Sequence, residues 1–193
     1  MRKLLSGLFI LSFLFTHSSS FGLTAFEARP YAEKMLSDQA RNKLVKIVGK
    51  RGNGIEPESW KFFSYDPYAK QNGREVTITG KAVTEIRDGY SELDNLRVAA
   101  YKESEIIPTA QLKIDSNQAY KIVQNTAQLN KVKITSVGYE LVKSSSGSVT
   151  PTWKLSIYAD IKGEQKQIGE AKISAENGQV FELKVDQKML QSI

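Results

Sequence analysis

Apolar and polar residues alternate along the segment from residue 151 to residue 182. A period of two places one set of side chains on one face of a β-strand and the other set on the opposite face. Turn signals at Lys162-Gly163 and Asn177-Gly178 divide the segment, and Asn-Gly is a strong hairpin signal. The pattern therefore predicts an antiparallel sheet with Trp153 on its buried face.

Two other segments have helical periodicity. Between residues 26 and 48, apolar residues recur at steps of three and four, which predicts an amphipathic helix of roughly five turns. Pro30 suits the first turn of this helix, and Gly49 ends it. A second, shorter helix follows later in the chain, with Asp115 or Ser116 as the residue that caps its free amide groups.

Further alternating segments predict additional strands. One of them has apolar residues on both of its faces, because aromatic residues follow one another directly. Gly80 marks a bulge or a close approach of two backbones, and a change of phase near Ser136 marks another bulge. The predicted strands are residues 59–65, 74–82, 96–100, 132–142 and 181–185.

The two halves of the chain repeat similar signals at a nearly constant offset. Tyr31 and Tyr120 are 89 residues apart, and Trp60 and Trp153 are 93 apart. A helix, a Trp strand, a Gly-Ala strand and a turn follow in the same order, which predicts an α+β fold of two tandem helix-plus-antiparallel-sheet units. Chance similarity between two ordinary α+β segments is the alternative interpretation. The predicted boundaries are 1–25 for a targeting segment, 26–101 for the first unit, 102–111 for a linker and 112–193 for the second unit.

Three motifs in the second half carry a resemblance to a known family. They are Asp115-Ser-Asn-Gln-Ala119-Tyr120, Pro151-x-Trp153-x-Leu155, and Ile173-Ser-Ala175-Glu-Asn-Gly178-Gln-Val180. In these motifs the chain resembles a PepSY-like domain over about residues 112–184 and, more faintly, over 27–92.

PepSY-like domains are found in bacterial secreted and cell-envelope proteins, including protease propeptides, and are associated with inhibiting or modulating peptidases. The resemblance implies a non-catalytic, cystatin-like module in which a helix lies on a sheet. It assigns no binding residue. The first half departs from the family pattern because it lacks an obvious strand between its helix and Trp60.

The first residues have the features of a secretory signal peptide. Arg2 and Lys3 precede an apolar run, residues 4–15, and a region of small polar residues follows. The run is about twelve residues, shorter than the roughly twenty that span a bilayer, which argues against a retained anchor. Cleavage after Ser20 and cleavage after Ala25 both fit, and we slightly favour Ala25. The sequence thus predicts a secreted or periplasmic protein whose mature chain has no transmembrane segment.

Composition excludes several classes of function. The chain has 27 basic and 21 acidic residues, and removal of residues 1–25 removes two of the basic ones, so the net charge falls from +6 to +4. This modest excess does not indicate nucleic-acid binding. The only histidine, His17, lies in the targeting segment, and the chain has no cysteine. Serine–histidine and cysteine–histidine catalysis, disulfides and ordinary zinc sites are therefore excluded, and we expect no cofactor or metal.

The densest group of aromatic residues lies between positions 60 and 68. On a strand, Trp60 points to one face while Phe63 and Tyr65 point to the other. We favour packing of this second face against the other half of the chain. The alternative is an exposed aromatic surface that binds a peptide or a sugar. The candidate binding residues are Trp60, Phe63, Tyr65 and Tyr68.

The combined expectation is an exported, non-catalytic module of the cell envelope that binds a protein or peptide and modulates a peptidase. One alternative is a small hydrolase that uses a pair of carboxylates. Another is a sugar-binding or structural envelope protein. The acidic residues available to the hydrolase include Glu56, Glu58, Asp66, Glu75 and Glu85.

Overall fold

The computed structural model describes residues 22–89, 100–143 and 150–191. Eight strands lie within these residues, and all neighbouring strands are antiparallel. Their bounds are Leu44–Lys50 (β1), Ser59–Tyr65 (β2), Gly73–Thr79 (β3), Ala82–Asp88 (β4), Ile134–Lys143 (β5), Pro151–Ile161 (β6), Glu164–Ser174 (β7) and Val180–Val185 (β8).

Three α-helices accompany the strands in the described residues. Short 3-10 helices occur at Lys70–Asn72, Glu103–Glu105 and Thr109–Gln111. The α-helices are Ala25–Glu33 (α1), Ser116–Gln124 (α2) and Gln187–Leu190 (α3).

The eight strands form one continuous sheet in the order β4-β3-β2-β1-β5-β6-β7-β8. The middle of this sheet is the pairing of β1 with β5, which places Lys46 opposite Val142 and Gly49 opposite Tyr139. The predicted fold class, tandem helix-plus-sheet units of the cystatin or PepSY type, is therefore wrong. Because β1 and β5 pair, strands from both halves of the chain share a single sheet and one main core.

The first helix is much shorter than its sequence predicts. It ends at Glu33, and the second part of the predicted helix is instead the strand β1. Leu44 and Ile47 are buried with the main core, whereas Val45 is buried in a separate cluster with Phe63 and Tyr101. Burial on both faces of a strand yields a nearly continuous apolar run, which sequence periodicity alone does not distinguish from a helix.

Several local signals have the predicted structure. Lys162 and Gly163 both have positive φ, at 58° and 86°, in the two-residue turn between β6 and β7. A register shift near Ser136 is the predicted bulge in β5. Gly80 is different, because it lies in the β3–β4 turn with φ of 58° and not in a bulge.

Three predicted features involve residues that lie outside the described part of the chain. The first is the targeting segment up to residue 21. The second is most of the strand predicted at 96–100. The third is residues 144–148, whose run of serine and glycine predicts a flexible turn.

The two faces of the sheet differ in character. The helix face is covered by α1 and α2 and carries the main core, which includes Trp60, Phe62, Tyr139 and Trp153. The opposite face, which we call the open face, carries ion pairs along several strands, such as Lys46–Glu140 at 3.2 Å. The predicted linker, residues 102–111, is tied to this sheet because the Ile107 N–H donates to the Leu44 carbonyl at 2.7 Å.

Within the described residues, no helix is both long enough and apolar enough to cross a membrane.

Candidate functional site

A cleft of about 440 Å³ opens on the helix face, between the first turns of α1 and α2 and the loop before β2. We call it the aromatic cleft. Four segments that are distant in sequence form its walls. They contribute Gly22, Leu23, Thr24, Glu27, Ile55, Glu56, Pro57, Trp60, Ser116, Asn117, Tyr120, Lys121 and Tyr139.

Aromatic rings form the floor of the cleft. The ring centroids of Trp60 and Tyr139 are 5.7 Å apart, and the Trp153 ring lies 6.5 Å from Trp60 and 6.3 Å from Tyr139. These separations are typical of favourable edge-to-face and tilted aromatic pairs. Trp153 itself is fully buried beneath the cleft. The floor is therefore apolar and closely packed.

The two tryptophans also fix the backbone that precedes each helix. The Trp60 Nε1–H donates to the Leu23 carbonyl at 2.7 Å. The Trp153 Nε1–H donates to the Ile114 carbonyl at 2.8 Å. Buried indole N–H groups need an acceptor, so these bonds hold the start of α1 and the start of α2 against the sheet.

A carboxylate joins the N-termini of the two helices. Asp115, one of the two cap residues that the sequence predicts, is the N-cap of α2, and its Oδ1 accepts the Ser116 N–H at 2.6 Å. The same oxygen accepts the Phe26 N–H of α1 at 3.1 Å. The Ser116 hydroxyl accepts the Ala25 N–H, also at 3.1 Å. Negative charge and hydrogen-bond acceptors are favourable where free helix amides collect.

Two tyrosines supply hydroxyl groups to the cleft. The Tyr139 hydroxyl donates to the Ile55 carbonyl at 3.1 Å, and the Tyr120 hydroxyl donates to Gln124 at 2.7 Å. Burial raises the pKa of Tyr139 strongly, and Tyr120 and Glu56 raise it further. Burial also raises the pKa of Tyr120. Both phenols are therefore neutral hydrogen-bonding groups and not bases.

Charged side chains lie at the rim. Glu27 accepts the Thr24 N–H at 2.9 Å, and Glu56 accepts the Gly22 N–H. The Lys121 side chain is exposed on the opposite wall. The rim therefore presents both signs of charge around an apolar floor.

The structure separates the four candidate binding residues of the sequence. Trp60 is buried and lines the cleft. Phe63 is buried on the open face against Tyr101, with ring centroids 6.3 Å apart. Tyr65 is half-buried near Phe63, and Tyr68 is 84% exposed in the following loop. They form no common surface, and only Trp60 belongs to the cleft.

Most of the candidate carboxylates are held in ion pairs elsewhere. Glu58 pairs with a lysine, and so does the buried Glu75. Glu85 and the buried Asp66 pair with arginines. Glu56 is the one member of that set that lines the cleft. Within the described residues, no group of three or more His, Cys, Asp or Glu side chains could hold a metal ion.

The open face carries its own charged network. Glu140 lies 3.2 Å from Lys46 and 3.3 Å from Lys154. Burial on its own raises the pKa of Glu140, but the two ammonium groups outweigh it and the net shift is downward. On β8, hydrogen bonds from Lys172 and Lys184 lower the pKa of Glu182 to about 2.

Comparisons with protein families, curated proteins and solved structures find no match to this chain.

Proposed function

We propose that the protein is an exported, non-catalytic module that binds a peptide segment of a cell-envelope protein in the aromatic cleft. The observation that carries the proposal is the cleft itself, an aromatic-floored cavity of about 440 Å³ with charges at its rim. Ligand pockets are typically apolar concavities of about 300–1,000 Å³ with a few oriented polar groups. The resemblance of residues 112–184 to PepSY-like domains adds a peptidase as the expected class of partner.

The groups in the cleft favour binding over catalysis. Neither histidine nor cysteine is found after residue 25. Glu27 and Glu56 each accept a backbone N–H, so they already act to hold the chain at residues 22–24. The Tyr139 hydroxyl is committed to a backbone carbonyl. A side chain of the ligand would rest on the aromatic floor, and its backbone or charged groups would meet the polar rim.

Replacement of Tyr120 by alanine is expected to weaken peptide binding by about tenfold, because tyrosine is enriched among the interface residues whose truncation costs more than about 1 kcal/mol. Peptides would be selected from a random display library on the wild-type protein, and their affinities measured by isothermal titration calorimetry. Tyr31→Ala is the matched control, since Tyr31 is a half-buried tyrosine of α1 outside the cleft. If no peptide is enriched, or if both variants lose affinity equally, the cleft is not the binding site.

Export would require cleavage upstream of the first structural contacts. Leu23 provides the acceptor for Trp60. Thr24 caps α1, because its hydroxyl accepts the Glu27 N–H and its own N–H donates to the Glu27 carboxylate. Cleavage after Ala25 would remove both residues and leave the buried Trp60 N–H without this acceptor. Cleavage after Ser20 would keep them. These contacts favour the Ser20 site over the Ala25 site that the sequence slightly favours.

The protein recovered after export is therefore expected to begin at Phe21. The check is intact-mass measurement and N-terminal sequencing of the protein secreted from cells that express the full sequence. A Ser20→Pro variant is the control, because proline beside the scissile bond should block processing there. A mature chain that begins at Phe26 would contradict the prediction, and an unprocessed chain would contradict export by cleavage.

A further inference from the structure

Strand β8 forms one outer edge of the sheet, and within the described residues no strand lies beyond it. Two of its apolar side chains are exposed, Val180 at 37% and Phe181 at 48%. β8 contains no proline, and none of its charged residues faces the helix side of the sheet. An edge strand presents a row of unpaired backbone N–H and carbonyl groups, which can pair with another strand.

The backbone of β8 has a defined set of groups that point outward. The Asp186 N–H donates to the Ile168 carbonyl at 2.8 Å, which places Asp186 among the residues bonded to β7. In an antiparallel ladder, bonded and non-bonded residues alternate. The N–H and carbonyl of Leu183 and Val185 therefore point away from β7. A bulge opposite Ile173 interrupts the ladder beside Phe181, so the regular edge covers residues 182–185.

The charges beside this edge alternate in sign on the open face. Glu182 lies opposite Lys172 of β7 and within 2.5 Å of it, and Lys184 lies opposite Glu170. Each of these two cross-strand pairs therefore joins one acid and one base. In the first pair the acid lies on β8, and in the second pair the base lies on β8. Such a pattern is complementary to itself under a twofold rotation.

We propose that two copies of this protein associate by antiparallel pairing of β8 with β8 about a twofold axis at Leu183. The Leu183 N–H of each copy donates to the Leu183 carbonyl of the other. Glu182 of each copy lies opposite Lys184 of the other, so one row of the joined sheet reads Lys172, Glu182, Lys184, Glu170 across the interface. The result is a sheet that continues from one copy to the next through a self-complementary contact.

Charge selects this register over its neighbours. A shift by one residue would place open-face side chains opposite helix-face side chains, which the pleat does not allow. A shift by two residues in one direction would place Glu182 opposite Glu182 of the other copy. The same shift in the other direction would place Lys184 opposite Lys184 of the other copy. Like charges directly opposite one another destabilise a strand pair. Centring the pair on Leu183 avoids both repulsions.

The test is a charge-reversal experiment on protein purified after expression of the full-length sequence. Sedimentation velocity from micromolar to millimolar concentration would measure self-association of the wild type, Glu182→Lys and Lys184→Glu. Each single reversal turns two attractive pairs into two repulsive ones, so we expect the dimer dissociation constant to rise by about tenfold. An equimolar mixture of the two variants should restore association, because both pairs are then attractive. The lysine introduced at position 182 meets the glutamate introduced at position 184, and the native Lys184 of one copy meets the native Glu182 of the other.

Restored association in the mixture would show that the single variants lose an interface contact and do not misfold, since a variant that failed to fold would not regain a partner. Circular dichroism of each variant provides the same control directly. A wild-type protein that stays monomeric to millimolar concentration would overturn the proposal. So would a dimer that both reversals leave unchanged, or a mixture that associates no better than either variant alone.

Discussion

Replacement of Trp153 by alanine is expected to lower the free energy of unfolding by about 4 kcal/mol. Trp153 is fully buried in β6, and its ring lies 6.3–6.5 Å from the rings of Phe26, Trp60 and Tyr139. Alanine would leave a cavity under the aromatic cleft and would remove the N–H that binds the Ile114 carbonyl. Small domains are stable by only about 5–15 kcal/mol, so the loss is large. Urea unfolding followed by far-ultraviolet circular dichroism measures it.

The adjacent residue provides a matched control for this substitution. Lys154 lies on the same strand but faces the open side, where it pairs with Glu140 at 3.3 Å. Lys154→Ala is expected to cost less than about 1 kcal/mol, because exposed ion pairs contribute little. Trp153→Phe should fall between the two, since it keeps an aromatic ring but loses the hydrogen bond. If Trp153→Ala costs no more than Lys154→Ala, the two halves of the chain do not share the core described above.

Local features could be predicted from the sequence where only one local structure fits the residues. Two residues with positive φ are required between β6 and β7, and Lys162-Gly163 provides them. Asp115 caps a helix because its short carboxylate reaches free amide groups, whatever the rest of the fold does. The alternation around Trp153 is likewise set by the pleat of a strand with one buried face. In each case, the physical cause lies within a few residues of the signal.

The fold as a whole could not be predicted in the same way. Its centre is β1, and the apolar residues of β1 are buried for two different reasons. Ile47 faces the main core, whereas Val45 is covered on the open face by Phe63 and Tyr101. The sequence around Val45 does not indicate a contact with Tyr101, which lies more than fifty residues away. Without knowledge of that partner, the apolar residues of β1 resemble the apolar stripe of a helix. The sequence therefore does not predict the pairing of β1 with β5.

The aromatic cleft has the same dependence on distant segments. Trp60 was a candidate because of its aromatic neighbours, but those neighbours do not line the cleft. The aromatic residues that line the cleft with Trp60 are Tyr120 of α2 and Tyr139 of β5. Tyr120 ends the motif that begins at Asp115, but neither that motif nor the sequence around Tyr139 indicates that the tyrosine lines a cleft. Only the continuous sheet brings the starts of both helices to one place.

Replacement of Asp115 by alanine is expected to lower the free energy of unfolding by about 2–3 kcal/mol. Its Oδ1 accepts N–H groups from Ser116 and from Phe26, so one carboxylate serves the first turns of both helices. Alanine would leave both amides without this acceptor and would remove a negative charge from two helix N-termini. Because these turns form two walls of the aromatic cleft, peptide affinity should fall together with stability.

Two further substitutions test whether loss of the acceptor shared by α1 and α2 causes the predicted loss of stability in Asp115→Ala. Asp115→Asn keeps an oxygen in the same position, so it should recover most of the stability and lose only the contribution of the charge. Asp186 also caps a helix, accepting the Lys188 and Met189 N–H groups, but it serves only the four-residue α3 near the end of the chain. Asp186→Ala should therefore cost less than about 1 kcal/mol, at the low end for caps. Chemical unfolding of the three variants decides the matter, because equal losses for the two alanine variants would mean that Asp115 acts as an ordinary cap and does not couple α1 to α2.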